Sequence, residues 1–264
     1  PGDGVEVPAG VLGREDVSVL ARGVDLVGRN IRADMAFPAG VGLPGDFDGE
    51  AEEAGKETAS LIPEMVESAL AKLPIPKRMR WGDRSAEFVR PAHWLVLMLG
   101  DEIIDADILE LKSGNKTRGH RFHHPDAITL ANPGDYANAL QETGYVMADF
   151  EARRERIRQQ VEATAGTLGA QAVMDESLLD EVTALVEWPV TLVGKFEERF
   201  LEVPQEALIY TMQDNQKYFP VVDSLGSLKP YFITVSNIES QDPQKVIEGN
   251  ERVIRPRLAD AAFF

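Results

Sequence analysis

The segment Tyr218-Phe-Pro-Val-Val222, followed by Ser224-Leu-Gly-Ser227 and Tyr231-Phe-Ile-Thr-Val235, predicts two strands joined by a tight turn. Aromatic and β-branched residues fill both runs, and turn-forming residues separate them. Strands joined in this way pair antiparallel. The segment therefore indicates an antiparallel sheet near the carboxyl end of the chain.

Helices are predicted on both sides of this hairpin. Asp175 is placed to cap a helix that ends at Val186, and Pro204 stands at the first position of a helix to about Met212. Asp242-Pro243 begins a final helix. Because strands and helices alternate without a regular βαβ order, we expect an α+β fold with mixed or antiparallel sheets and packed helices.

The middle of the chain predicts further elements of both kinds. Apolar residues at helical spacing predict a helix over Thr58–Leu70 and another over Phe150–Leu168, whose arginines we expect on its solvent faces. The remaining predictions are strands over Trp94–Leu99 and, weakly, Ile103–Leu111, and a short helix Asp135–Thr143 that Gly144 ends as its C′ residue.

Composition limits the class of protein. The net charge of −17 is the wrong sign for indiscriminate binding of polyanions. The absence of cysteine excludes disulfides and fits a reducing compartment such as the cytoplasm. The most apolar run, Trp94–Leu99, is too short to cross a membrane, and we expect no membrane partner. A first residue other than Met suggests a piece of a longer protein.

Residues 1–50 differ from the rest of the chain, because they hold 10 of its 22 glycines. We treat them as a Gly-rich N-terminal segment of uncertain structure, apart from an α+β region over residues 51–264. Within the segment, Val17-Ser-Val-Leu20 suits a short strand, and Pro38–Gly45 reads as a turn-rich connector.

Two basic clusters stand out in this acidic chain. Residues 77–90 carry five basic side chains against Asp83 and Glu87, and residues 112–121 carry four with no acid. Arginine suits phosphate contacts and base stacking, but a basic surface also suits an acidic partner subunit. Both interpretations stay open, and we predict RNA or subunit contacts for Lys77, Arg78, Arg80, Arg90, Arg118, His120 and Arg121.

No catalytic, metal or cofactor site is predicted. His120, His123 and His124 lie close together, but no cysteine, HExxH motif or spaced carboxylate completes a metal site. The chain has no phosphate-binding glycine motif and no GxSxG. The polar segment Tyr210–Pro220 suits a small ligand, but a turn satisfied by its own side chains explains it better.

A series of motifs resembles one known family over residues 55–264. These motifs are Leu73–Lys77, Met79–Gly82, Phe88–Pro91, Arg118–Phe122, Ser177–Leu179, Leu185–Pro189, Tyr210–Met212, Gln216–Pro220, Ser236–Ser240, Gly249–Glu251 and Arg255–Asp260. In order and spacing they resemble the N-terminal half of the β subunit of the bacterial heterotetrameric glycyl-tRNA synthetase. The opening motif of that family is not found in residues 1–50.

The resemblance implies an α2β2 ligase in the cytoplasm, in which the α subunit uses ATP to activate glycine. The β subunit engages tRNA-Gly and the α subunit, and this half of it resembles the B3/B4 region of the phenylalanyl enzyme's β subunit. The chain itself then holds no catalytic residue and no cofactor. Two alternatives stay open: an editing deacylase, motivated by Tyr210–Lys217, and a purely structural scaffold, motivated by the net charge.

Overall fold

The computed structural model describes residues 57–263 and the backbone of two earlier strands, β1 (Val17–Ala21) and β2 (Val24–Leu26). The chain forms two compact units. Unit 1 comprises the residues up to Thr117 together with Ala127–Tyr136, and unit 2 comprises Arg118–Asp126 and the residues from Ala137 onwards. The predicted connector over residues 38–45 lies outside the described residues. The predicted α+β class is confirmed.

The described part of unit 1 packs the helix α1 (Thr58–Lys72) against a mixed sheet. After β1 and β2, the strands of this sheet are β3 (Leu95–Leu99), β4 (Glu102–Ile103), β5 (Asp107–Ile108) and β6 (Leu111–Gly114). The strand order is β2-β1-β3-β6-β5, with β4 also paired to β3, and only the β3–β6 pair is parallel. The helix buries Ile62 and Leu70, in agreement with the predicted apolar face.

The prediction of one strand over Ile103–Leu111 was wrong. The structure has three short strands in this region, and the chain reverses between the last two at Leu109 and Glu110. Both residues adopt left-handed backbone conformations, with φ of 56° and 57°. Glycine or asparagine usually signals such a turn, so this leucine and glutamate hid it.

The described part of unit 2 is built around an antiparallel sheet of order β10-β12-β11-β9. Its strands are β9 (Gln171–Ala172), β10 (Val190–Lys195), β11 (Phe219–Val222) and β12 (Leu228–Ser236). Its α-helices are α2 (Tyr136–Glu142), α3 (Phe150–Thr167), α4 (Glu176–Leu185), α5 (Gln205–Tyr210) and α6 (Pro243–Phe263). Two further strands, β7 (Lys116–Arg118) and β8 (Ala127–Thr129), form a separate pair that belongs to unit 1 except for Arg118. Among the described residues, no helix is long and apolar enough to span a bilayer.

The predicted hairpin is confirmed as β11 and β12, which pair antiparallel. Asp223 shapes its turn, because the carboxylate accepts the backbone N–H groups of Leu225 at 2.8 Å and Ser227 at 2.9 Å. Successive residues of β12 face opposite sides of the sheet: Ile233 packs with α3 and α4, and Phe232 packs with α5 and α6. The sheet is therefore a central layer with a hydrophobic core on each face.

Close packing across this sheet depends on Gly194, which pairs with Phe232. A Cβ atom on Gly194 would lie 2.7 Å from the Cε1 atom of Phe232 and closer still to the ring's far end. The same ring stacks on Tyr218 with centroids 4.5 Å apart. Burial raises the pKa of Tyr218 to about 12, and its hydroxyl donates to the Oδ1 atom of Asn250.

The capping predictions were partly right. Asp175 caps α4 as predicted, and its carboxylate accepts the N–H groups of Ser177 and Leu178. Pro204, however, stands at the N-cap of α5 rather than at its first helical position. After α2 it is Tyr145, with φ of 54°, and not Gly144 that takes the left-handed conformation.

Candidate nucleic-acid interface

The first basic cluster lies on a loop of unit 1 that backbone hydrogen bonds close. Met79 and Phe88 exchange backbone hydrogen bonds of 2.8 and 3.0 Å, and the buried Phe88 side chain anchors the loop to the core. The Glu110 carboxylate accepts the N–H groups of Ser85 and Ala86, as well as the Ser85 hydroxyl. These hydrogen bonds, above all the one from the Ser85 hydroxyl, lower the pKa of Glu110.

Two of the four predicted contact residues in unit 1 have partners within the chain. Arg78 donates to the carbonyl oxygens of Leu70 and Ala71, at 3.3 and 3.0 Å, so it caps the carboxyl end of α1. Arg80 forms an exposed ion pair of 3.6 Å with Glu87. Lys77 and Arg90 are exposed and form no hydrogen bond or ion pair with another described residue.

Arg118, His120 and Arg121 lie on a loop of unit 2, Arg118–Asp126, which we call the arginine loop. Gly119 holds one end of it against the chain after α2. A Cβ atom on Gly119 would lie 2.8 Å from the carbonyl carbon of Gly144 and closer still to its Cα and oxygen atoms. This close approach lets the His120 N–H donate to the Gly144 oxygen at 2.6 Å. Glycine is therefore required at residue 119 by space and not by backbone dihedral angles.

His120 supports the arginine loop from inside. Only 4% of the residue is exposed, and its Nε2 atom lies 2.7 Å from the carbonyl oxygen of Asn237. Because a carbonyl can only accept, Nε2 carries the proton, and Nδ1 accepts the N–H groups of Phe122 at 3.3 Å and His123 at 3.4 Å. The imidazole is thus a neutral anchor, and the structure places it away from the exposed surface on which a partner would bind.

Asn237 connects this anchor to a second segment of unit 2. Its carbonyl oxygen accepts from His120, and its side-chain oxygen accepts the backbone N–H groups of Glu187 at 2.6 Å and Trp188 at 3.0 Å. The backbone at Glu187 accepts in turn from the Met147 N–H. Residue 237 therefore sets the position of Trp188 relative to the arginine loop.

A row of aromatic rings extends from the loop. His123 stacks on Tyr145 with centroids 4.9 Å apart, and Tyr145 meets Trp188 edge-on at 5.3 Å. The guanidinium of Arg156 lies 4.8 Å from the centroid of Trp188. The Nε2 atom of His123 accepts the N–H of Glu239 at 3.1 Å. The sequence analysis did not predict Tyr145, Trp188 or Arg156, although Trp188 lies in one of the family-like motifs.

The outer side of the loop is different, because its side chains point into solvent. Arg118 and Arg121 are both exposed, and Phe122 on the same loop is 72% exposed. Arg118 donates to the Pro125 carbonyl at 3.0 Å, whereas Arg121 makes no hydrogen bond or ion pair with another described residue. Asp126 is the single acid of the loop. Two exposed cations on the same loop as an exposed aromatic residue suit a phosphate and a base.

The arginines of α3 do not form the uniformly solvated surface that we expected. Arg153 is buried and donates to the carbonyl oxygens of Met147 and Thr183. Arg154 and Arg158 both pair with Glu176 of α4. The hydrogen bond from Arg158, then that from Arg154, lowers the pKa of Glu176 to about 2. These arginines hold α3 against α4 rather than extending the basic surface.

Other sites considered from the sequence gain no support in the described part of the chain. The described residues contain no group of three or more side chains that could hold a metal ion. In the polar segment after α5, Gln213 donates to the Val173 carbonyl at 3.2 Å and Lys217 pairs with Glu181 at 2.9 Å. These contacts agree with a turn satisfied by the chain itself. A cavity of about 290 Å³ beside Leu201 and Leu228 has no titratable group in its lining.

Comparison with known proteins adds independent information. Residues 49–264 match the family model of the glycyl-tRNA synthetase beta subunit. The chain is 63% identical over 213 residues to a glycine--tRNA ligase beta subunit of Hahella chejuensis, covering 81% of this chain and 31% of that protein. The corresponding protein of Chromohalobacter salexigens is 61% identical over 213 residues, with the same coverage. The chain spans about a third of the length of the curated relatives it matches.

Proposed function

Because this chain belongs to the glycyl-tRNA synthetase beta subunit family, we propose that it supports the ATP-dependent glycylation of tRNA-Gly in the cytoplasm by engaging the tRNA and a catalytic α subunit. The proposed assembly is α2β2, so a second β subunit is also a partner. The role of this chain is positioning: it helps to hold the acceptor end of the tRNA where the α subunit can charge it. No residue of this chain acts on the reacting atoms, and ATP is used by the whole enzyme.

The observation that carries the RNA part of this proposal is the arginine loop. Arg118 and Arg121 extend into solvent from a backbone that Gly119 and His120 hold in place. A chain with a net charge of −17 can attract RNA only through such local positive surfaces. His120 contributes by fixing the loop, and the two arginines provide the contacts.

The loop of unit 1 that carries the first basic cluster, residues 77–90, is a second proposed contact surface. Lys77 and Arg90 are its exposed cations without a partner among the described residues, and we assign them to contact with RNA or with the α subunit. Arg78 and Arg80 already have partners in the chain, so we expect smaller effects on binding from their removal.

The test is the affinity of the chain for tRNA-Gly, measured by fluorescence anisotropy at low and physiological salt. We expect binding that weakens steeply as salt rises, because phosphate contacts release counterions. The variant Arg118→Glu/Arg121→Glu should bind weakly, with a smaller salt slope, and should reduce charging when full-length β carries it together with α.

Two results would redirect the proposal. Normal tRNA affinity and normal charging by the double variant would refute the role of the arginine loop. Salt-insensitive or absent tRNA binding, with α-subunit assembly intact, would instead favour the purely structural scaffold. The editing alternative would need deacylation of alanyl- or seryl-tRNA by the chain above the rate in buffer.

A further inference from the structure

We propose that Phe122 is a stacking platform for an unpaired nucleotide of RNA. The inference rests on the proposed function, since it names what the arginine loop recognises in its RNA partner. Phe122 is 72% exposed although its backbone is anchored by a hydrogen bond to His120.

The anchor holds the backbone of Phe122 in a defined position. Its N–H donates to the Nδ1 atom of the buried His120, and its ring lies 6.0 Å from the His120 ring, centroid to centroid. The His124 N–H closes the turn by donating to the His120 carbonyl at 2.8 Å. A ligand that stacks on Phe122 therefore has less conformational entropy to remove than on a free loop tip.

The neighbouring aromatic rings are not equally available. His123 and Tyr145 cover each other, and Arg156 lies over Trp188. Phe122 is 72% exposed, against 37% for Tyr145, so its ring is the most accessible of this cluster. The most exposed aromatic surface therefore lies on the same loop as Arg118 and Arg121.

The charges around the ring favour RNA over an apolar protein surface. Arg121 precedes Phe122 directly, and Arg118 lies on the same loop, whose own single acid is Asp126. A second acid, Glu239, contacts the loop through its backbone N–H, which donates to His123. A protein partner that buried the ring would also have to desolvate these guanidinium groups, which is costly without paired anions. RNA supplies a phosphate for the cations and a base for the ring within one nucleotide.

The base must be unpaired. In an RNA duplex both faces of each base are covered by its neighbours, and the base edges lie in grooves that a ring cannot enter by stacking. A tRNA offers unpaired nucleotides at its 3′ end and in its loops. Both present the same chemistry, an accessible base with an adjacent phosphate.

The experiment uses this chain of 264 residues with the single substitutions Phe122→Ala, Phe122→Leu and Phe122→Trp. Base–aromatic stacking predicts that the alanine variant binds tRNA-Gly about 5- to 150-fold more weakly. The leucine variant, which keeps an apolar side chain without a π face, should bind nearly as weakly as alanine. The tryptophan variant should bind at least as tightly as the natural chain. None of the three should change the salt slope, because no charge is altered.

Leu225 provides the control, because it is an exposed apolar residue of unit 2, at 89%, and has no arginine beside it in the sequence. Leu225→Ala should leave tRNA affinity unchanged. As probes, a short single-stranded RNA should bind the natural chain more tightly than its duplex and lose affinity in Phe122→Ala. Repeating the measurement with tRNA that lacks its 3′ unpaired nucleotides distinguishes the 3′ end from the loops as the source of the base.

The outcomes separate this inference from the proposed function. Unchanged affinity in Phe122→Ala, with weakened binding in Arg118→Glu/Arg121→Glu, would overturn the stacking role and leave the arginine loop as an RNA contact. Unchanged affinity in both would refute both proposals. Loss of α-subunit assembly in Phe122→Ala, with normal tRNA affinity, would show that the ring contacts protein. Circular dichroism and thermal unfolding of each variant verify that the fold is retained.

Discussion

Replacing Gly119 by alanine tests whether the arginine loop is held as the structure describes. The added Cβ atom would lie 2.8 Å from the Gly144 carbonyl carbon, well inside the 3.5–4.0 Å at which carbon atoms normally meet. Because the obstacle is backbone, no side-chain rotation can relieve it. The loop must move away, and the hydrogen bond of 2.6 Å from the His120 N–H to the Gly144 oxygen is then lost.

The expected cost has two parts. Overpacking of a closely packed site costs about 1–3 kcal/mol. A buried hydrogen bond that is lost with its groups left unpaired costs about 1–3 kcal/mol. The free energy of opening the arginine loop should therefore be about 2–6 kcal/mol lower in Gly119→Ala than in the natural chain. This decrease corresponds to at least roughly a 30-fold loss of amide protection.

Hydrogen exchange of the amides in residues 118–126, followed by NMR or mass spectrometry, measures this opening directly. Gly166→Ala is the control, because Gly166 lies inside α3 with no heavy atom within 4 Å of an added Cβ. That variant should be more stable by about 0.5–1 kcal/mol, as expected for removing glycine from a helix. If Gly119→Ala exchanged at the rate of the natural chain, the close approach of the two backbones would be refuted.

Two further predictions concern charged groups. Glu176 has a pKa of about 2 in the folded chain, below its ordinary value of 4.5, so it stabilises the fold above about pH 4.5 and this contribution is lost as the pH falls towards 2. In Glu176→Gln the decline of the unfolding temperature over this pH window should be shallower, and an identical pH profile in both proteins would contradict the pairing with α3. Arg78→Ala should lower stability by about 0.5–1 kcal/mol through loss of the cap on α1, whereas Lys77→Ala should be neutral within about 0.5 kcal/mol. Equal denaturant midpoints for these two variants would show that the Arg78 cap contributes nothing.

Much of the secondary structure could be predicted because its causes are local. Asp175 caps α4 since a short acidic side chain reaches the N–H groups two and three residues ahead, a geometry that depends on neighbouring positions alone. The hairpin of β11 and β12 follows from two β-rich runs around a turn-forming segment. The turn at Leu109 and Glu110 was missed because its residue types are not those that favour a left-handed backbone.

The candidate site depends on contacts between residues that are far apart in the sequence. The sequence predicted Arg118, His120 and Arg121 as a group of RNA or subunit contacts, because they form a basic cluster without an acid in an acidic chain. It could not separate the exposed arginines from the buried His120, since that difference comes from Asn237, more than a hundred residues away. It also could not select Tyr145 or Arg156, whose roles depend on rings from distant segments.

The sequence by itself therefore determined the α+β class, the described α-helices, the hairpin of β11 and β12, the resemblance to one family and the positions of the basic clusters. These features depend on spacing, composition and ordered motifs, which are properties of the chain before it folds. Tertiary structure alone decided which cations remain exposed, that Gly119 is needed for space, and that Phe122 stands free on an anchored loop. Burial and hydrogen bonding between distant residues arise only when the chain packs, and they determine which side chains remain available to a partner.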